Sequence, residues 1–419
     1  VLEAVSSDKI IDSIFDSYLN GPKIFTNRDA LRIDYIPERL PHREEHLRIV
    51  AGVLAPFLQG QRGSNLFVYG QTGTGKTAVV RFVLDRLQSR SKEVGSGAQT
   101  CYVNCRLVGT EYRVLASLGQ ALGVDVPFTG LATTEVLSRF KRSLSSGKIL
   151  LIVALDEIDA LVRNYGDALL YQLTRLNESP EYGRVSIIGI SNDLRFKERL
   201  DPRVLSSLSE EEVVFKPYTA LEIQDILRER SAVAFQRGVV EDSALSLCSA
   251  EAAREHGDAR RALDLLRVAG EVAEREGSKQ VRDIHILMAQ KRIETDRVST
   301  VLRSMPLHSK LILCGAYLLS TAKEKGTTTG DIYEVYKELC AQSKTESLTQ
   351  RRVSGLINEL DVLGLLNTHL VNLGRYGRTK RITLGIPVDF IRQVYDDDPW
   401  ISPLLNYVPP SIRKSVSRF

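Results

Sequence analysis

The sequence predicts an α/β chain: a core on a parallel sheet, then a small all-helical domain, then a C-terminal domain of three helices and a β-hairpin. Three observations carry that prediction. Short apolar runs such as "KILLIVALDEIDALV" are continuous and end in polar residues, as strands of a parallel sheet buried on both faces do. From "PYTALEIQDILRERSAVAF" to about Gln290 the apolar residues follow a helical period. Near the C-terminus, "LLNTHLVNLGRYGRTKRITLG" alternates into two strands around a glycine turn.

A length of 419 residues suits two or three domains. With 43% hydrophobic and 26% charged residues, the composition is that of an ordinary soluble globular protein with enough apolar material for real cores. The net charge of +4 neither demands nor excludes nucleic acid, so the distribution of charge must decide. No apolar run reaches the roughly eighteen residues of a membrane span, and "VLEAVSSDKIIDSIFDSYL" is amphipathic and partly acidic, unlike a signal peptide. The expectation is an intracellular protein with no membrane partner. Five cysteines are an odd number spread through apolar contexts, which favours buried free thiols over a disulfide framework.

The first element of the core is the apolar run Ser64 to Tyr69, and Ala78 to Leu87 reads as a helix. Between them Gly70, Gln71, Thr72, Gly73, Thr74, Gly75, Lys76 and Thr77 fit G-x-x-x-x-G-K-[ST], the pattern whose main-chain N–H groups curl around a polyphosphate. Glycine supplies the positive φ that lets main chain approach phosphates with no side chain in the way. Lys76 neutralises β/γ oxygens, Thr77 takes one place on Mg²⁺, and the helix start at Ala78 adds its dipole.

About eighty residues on, the strand in Lys148 to Val162 ends in two acids, at the strand end where ligands bind in such sheets. Asp156 is the second candidate for Mg²⁺, and Glu157 the group that polarises an attacking water. The bland alternative is an acid pair favouring the next helix. A further strand, Arg184 to Asp193, ends in a polar tip where Asn192 can orient that water. Phosphoryl transfer also requires cations, and Arg203 in "LDPRVLSSL" and Arg260 in "GDARRALDLL" are candidates; taken alone each reads as a solvated surface arginine, and only its place in the order of motifs along the chain gives it that role. One other pattern, "HREEH" from His42 to His46, matches a zinc signature but has no obvious third ligand nearby.

In order, the P-loop, "LDEID", "ISND", "LDPRV" and "GDARRAL" resemble the Walker A, Walker B, sensor 1, arginine-finger and sensor 2 motifs of an AAA+ ATPase. More closely, "DYIPERLPHREEHL" and "VPFTGLATTEVL" are similar to segments of archaeal origin recognition initiators of the Orc/Cdc family, over essentially the full chain. That resemblance implies an AAA+ P-loop core with a parallel sheet over residues 1–217, a helical lid over 218–295 and a winged-helix DNA-binding domain over 296–419. It places Tyr35, Ile36, Pro37, Leu40 and Pro41 around the adenine, and assigns Val126 to Leu144, with Arg139, Lys141 and Arg142, to a helical feature that touches DNA. Whether Arg260 or Arg261 is the sensor 2 residue depends on helix phase, and Arg203 acts on a neighbouring protomer only if one is present.

Thr219 and Glu222 are spaced as a capping box opening the lid. A link is expected around residues 291–305. Beyond it, Thr349 can cap a helix whose apolar positions are Val353, Leu356, Ile357 and Leu360, leaving Arg351, Arg352, Ser354 and Asn358 on the other face. Helix, helix, helix and basic-tipped hairpin look like a winged helix, in which Gln350, Arg351 and Arg352 meet base edges. At the hairpin tip Arg375, Tyr376, Gly377, Arg378, Lys380 and Arg381 form the densest basic cluster with an aromatic, suited to phosphates or the minor groove.

The function expected is an ATP-dependent replication initiator that binds double-stranded origin DNA and, as the family resemblance implies, helps recruit or load the MCM helicase, with slow Mg²⁺-dependent hydrolysis as a switch. Cofactors would be ATP or ADP with Mg²⁺, and partners on DNA other copies or paralogues of the chain. The expected location is the cytoplasm, on chromosomal DNA. The short stretch before the core leans towards the archaeal branch. A clamp-loader-like machine, the second class, would end in a helical collar in place of a basic hairpin, and a signalling ATPase regulator would carry sensor or repeat regions.

Overall fold

The computed structural model describes residues 15, 23–127, 130–147, 149–178, 183–208, 210–322, 327–372 and 378–411. The chain divides into two compact units, residues 1–290 and 291–419.

The first unit is built on five parallel strands: β1 (Asn65–Gly70), β2 (Ala98–Asn104), β3 (Leu150–Asp156), β4 (Arg184–Ser191) and β5 (Glu210–Phe215), in the order β2-β3-β4-β1-β5. Parity along the strands separates two layers. Phe67, Tyr69, Leu151, Val153, Leu155, Val185 and Ile187 face one apolar layer, with the helices Glu111–Ala121, Thr133–Gly147, Ile158–Tyr165 and Ala168–Arg175. Leu66, Val68, Ile152, Ala154, Ile188 and Ile190 face the other, with the helices Glu44–Leu54 and Lys76–Val94. Burial on both faces is why the inner strands β1, β3 and β4 read as continuous apolar runs. At Gly189 an added Cβ would stand 2.2 Å from the Phe67 ring, so the sheet needs glycine there.

Residues 216–219 lead from β5 into the lid helices Ala220–Ala234, Asp242–Arg254 and Ala259–Arg275. The capping box forms: the Thr219 hydroxyl accepts from Glu222 N, and the Glu222 carboxylate accepts from Thr219 N. Where the sequence reads a link at 291–305, the structure has one helix from Asp283 to Ser304. Nothing between Lys291 and Met305 breaks it, since the next proline is Pro306.

The second unit packs the helices Leu307–Ala322, Thr329–Gln342 and Gln350–Val362 against a three-stranded sheet of β6 (Thr327–Thr328), β8 (Arg378–Leu384) and β7 (Leu366–Asn372), closed by the helix Val388–Tyr395. Its own core includes Leu311, Ile312, Tyr336, Leu339, Ile357, Leu360, Ile382 and Tyr395. Thr349 takes the N-cap position without a side-chain cap bond. All five cysteines are buried and unpaired.

Candidate functional site

β1 runs into a loop that turns through Gly73 (φ 77°) and Gly75 (φ 89°) into the helix Lys76–Val94. Left-handed backbone at these positions is what allows such a loop to offer successive N–H groups to an oxyanion. Lys76 is buried, and its Nζ donates to the carbonyls of Gly70 and Gln71, each at 2.7 Å. Burial pulls this ammonium down to about 8, Arg260 adds to the effect, and Asp156, Asp159 and Asp258 oppose it. Gln71 and Thr72 are exposed, Thr74 is buried and Ala78 half-buried.

The loop forms one wall of a cleft lined by Gly73, Gly75, Lys76, Thr77, Asp156, Glu157, Asn192 and Arg260. Parallel pairing puts the carboxyl ends of β1, β3 and β4 side by side, which is why residues far apart in sequence meet here. Asp156 Oδ2 accepts from Thr77 Oγ1 at 2.8 Å and from Tyr102 Oη at 2.6 Å, and its Oδ1 accepts from Glu157 N at 2.9 Å. Glu157 has φ 51° and accepts long bonds, 3.4 Å each, from Asn104 Nδ2 and Arg106 Nη1. Ser191 is fully buried and donates to Asp159 Oδ1 at 3.1 Å, fixing the strand end that carries Asn192.

From the lid, Asp258 caps the helix Ala259–Arg275, and Ala259 N donates to Gly73 O at 3.3 Å. This phase turns Arg260 into the cleft, whereas Arg261 pairs with Glu255. Arg203 is 80% exposed in its side chain and bonded to Asp201 through Nε (3.0 Å) and Nη2 (3.2 Å), outside the cleft. Tyr35, Ile36, Pro37, Leu40 and Pro41 are half-buried, with Tyr35 beneath Arg230 of the first lid helix at 4.5 Å. His42 lies 3.0 Å from Asp225, and His46 packs on the Phe215 ring.

Thr77 and Asp156 offer two adjacent hard oxygens, a donor set that fits Mg²⁺, which takes one or two protein oxygens and completes its octahedron with phosphate and water. Among the described residues no group of three or more His, Cys, Asp or Glu could hold a metal, and this reading requires none.

Sequence reasoning missed Tyr102, Asn104 and Arg106. All three sit on or just after β2, whose register pairs Asn104 with Asp156, and sequence does not show register.

In the second unit the helix Gln350–Val362 buries Val353, Leu356, Ile357 and Leu360 and exposes Gln350, Arg351, Arg352 and Asn358, with Ser354 half-buried. Lys380 donates to Asn358, and Arg381 is exposed opposite His369. Arg375, Tyr376 and Gly377 lie outside the described residues, and of Arg378 only the strand pairing with Asn372 is described. In the first unit Arg139 bonds Glu135 at 2.9 Å and Arg142 approaches the same acid at 3.9 Å, while Lys141 is half-buried.

A Thermococcus onnurineus protein named ORC1-type DNA replication protein is 50% identical over 402 residues, covering 95% of this chain and 97% of its own. The chain belongs to the ORC1-type DNA replication protein family. An ORC1-type protein of Sulfurisphaera tokodaii is 48% identical over 94% of the chain and 99% of its own length. Family models for an AAA domain, the Cdc6 AAA+ ATPase-type lid domain and the CDC6 C-terminal winged helix domain match residues 59–196, 224–291 and 300–394. The Orc1 protein of Aeropyrum pernix, solved in complex with DNA, superposes with a TM-score of 0.76 at 48% identity, over 91% of this chain and 99% of that one. Cdc6p of Pyrobaculum aerophilum shares the fold, with a TM-score of 0.57 at 23% identity. The AAA+ core, lid and winged helix expected from sequence are thus the architecture of an ORC1-type chain.

Proposed function

We propose that this ORC1-type chain is an ATP-controlled origin-binding initiator that recruits or helps load the MCM helicase, with slow hydrolysis as its switch. The observation that carries the reading is the meeting of Lys76, Thr77, Asp156, Glu157, Asn192 and Arg260 in one cleft. Lys76 and the loop N–H groups hold the β and γ phosphates. Thr77 and Asp156 hold Mg²⁺, which when bound neutralises charge on those oxygens. Glu157 leaves its two long bonds at little cost to accept the proton of the attacking water, which Asn192 orients. Arg260 bears on the γ-phosphate from the lid, and the half-buried residues Tyr35, Ile36, Pro37, Leu40 and Pro41 enclose the base. Arg203, exposed beside Asp201, acts on a neighbouring ATP only where a second copy or a paralogue binds alongside.

DNA is the partner of the second unit. Gln350, Arg351, Arg352 and Ser354 approach base edges, while the wing residues Arg375 to Arg381 take phosphates, with Arg139, Lys141 and Arg142 of the first unit as a further contact. The DNA complex of the Aeropyrum pernix relative supports this reading, and MCM enters through the family resemblance. Sheared genomic DNA from the source organism, bound at physiological salt with ATP or ADP and then sequenced, tests it. Enrichment of one recurring motif at a few loci is expected, and uniform recovery in both nucleotides would move the chain to a loader acting on proteins.

A further inference from the structure

Arg43 is 4% exposed, and its guanidinium donates to three main-chain carbonyls at 2.9 Å: Nε to Thr74 in the phosphate loop, Nη1 to His42 and Nη2 to Lys216. The Tyr218 ring centre lies 3.7 Å from the guanidinium carbon, and that of Phe215 5.5 Å. None of the three acceptors is a carboxylate: the buried cation is held by carbonyl dipoles and ring faces, with the charges of Glu222 and Glu44 favouring it from further off. Burial pulls it below its ordinary value. Such a group is a poor source of stability. What it does supply is a rigid planar fork that joins three separate pieces of chain.

Those pieces are the phosphate loop and the two crossings between core and lid. Upstream of Arg43 the chain is fastened to the lid. Arg230 donates to the carbonyls of Arg32 (3.1 Å) and Tyr35 (3.4 Å), His42 meets Asp225, and Phe25 stacks on Phe235 at 4.5 Å. Downstream, the helix Glu44–Leu54 is fastened to the sheet layer through Val50, Val53 and Leu54. The changeover falls between His42 and Arg43, where His42 adopts φ 61°, a left-handed conformation uncommon outside glycine. The other crossing is Lys216 to Tyr218, between β5 and the first lid helix. At the loop side, a Cβ on Gly75 would stand 2.7 Å from Tyr218 Oη, so the loop and the second crossing are in close contact.

We propose that Arg43 is the positioning residue that couples the phosphate loop to the lid, tying Thr74 to both crossings so that loading the loop with a nucleoside triphosphate sets the lid's angle. Arg260 and the base-enclosing segment then move with the lid as one body. The inference rests on the ATP-binding reading above. A lysine keeps the charge but, as a point donor on a flexible stem, cannot hold three separated carbonyls in one plane.

The test compares full-length wild type, Arg43→Lys and Tyr218→Leu by hydrogen–deuterium exchange of lid amides, with and without a saturating, slowly hydrolysed ATP analogue and Mg²⁺. Equilibrium binding of a fluorescent ATP analogue is measured alongside. Wild type is expected to bind and to gain lid protection. Arg43→Lys is expected to bind within about tenfold of wild type, yet gain little or no lid protection at saturation. Tyr218→Leu, which keeps the fork and removes the ring beneath it, is expected to lose part of the response. Wild-type-like protection in Arg43→Lys overturns the proposal, and so does outright loss of its binding, which would make Arg43 a nucleotide-site residue only. If Arg43→Lys does not fold, Tyr218→Leu decides, an undiminished response overturning the coupling. Failure of wild type to bind nucleotide sinks the ATP reading itself, an outcome distinguishable from the others.

Discussion

Asp156 accepts two hydrogen bonds on a single oxygen, from Thr77 and from Tyr102. A carboxylate held this way is preorganised, and removing one donor isolates its worth. Tyr102→Phe should lower unfolding free energy by about 2 kcal/mol, the usual contribution of a hydrogen bond to a charged group, measured by urea denaturation. Glu157→Gln should retain ATP and lose about two orders of magnitude in turnover, and normal turnover would overturn the proposal that Glu157 is the base. At the same scale, burial pushes the Cys101 thiol up to about 11 and those of Cys105, Cys248 and Cys314 up to about 12. Alkylation at pH 8 should therefore be negligible in the native chain and reach all five cysteines only in denaturant, read by intact mass. Lys76, Thr77, Asp156 and Glu157 were legible because each motif lies within one continuous stretch. Tyr102 and Asn104 were not, because their partners lie on a neighbouring strand.

At the scale of elements, two threonines at N-cap positions differ, since the residue three further on is Glu222 for Thr219 and Arg352 for Thr349. Thr219 closes a reciprocal box with Glu222, whereas Thr349 occupies its N-cap position with no side-chain bond. Thr219→Ala should cost about 1 kcal/mol and Thr349→Ala only about a few tenths, compared by thermal unfolding. The box was readable because both residues are local. The helix through residues 291–304 was not: "RIETDRVST" is polar nearly all round and carries little apolar periodicity, yet contains no breaker. β5 escaped notice for a similar reason. Its sequence "EEEVVF" opens with three acids, tolerable on an edge strand where Glu210 and Glu212 pair with Lys197.

For the whole molecule, a net charge of +4 conceals an uneven distribution. Arg351 and Arg352 stand exposed at the start of their helix, while Arg139 and Arg142 share one acid. If phosphates or bases meet that helix, Arg351→Ala should weaken DNA binding, and a fall of about one in the salt slope would mark a phosphate contact while an unchanged slope with relaxed sequence preference would mark a base. Fold class and domain order were accessible from motif order along the chain. The strand order β2-β3-β4-β1-β5 was not, since adjacency in a parallel sheet is set by crossovers that leave no local mark. One further consequence concerns durability. Glu157 holds a left-handed backbone that asparagine adopts more readily, so Glu157→Asn should relax local strain and raise the melting temperature while abolishing turnover. If Glu157 is the base proposed above, selection for heat resistance alone would favour a longer-lived but inert chain.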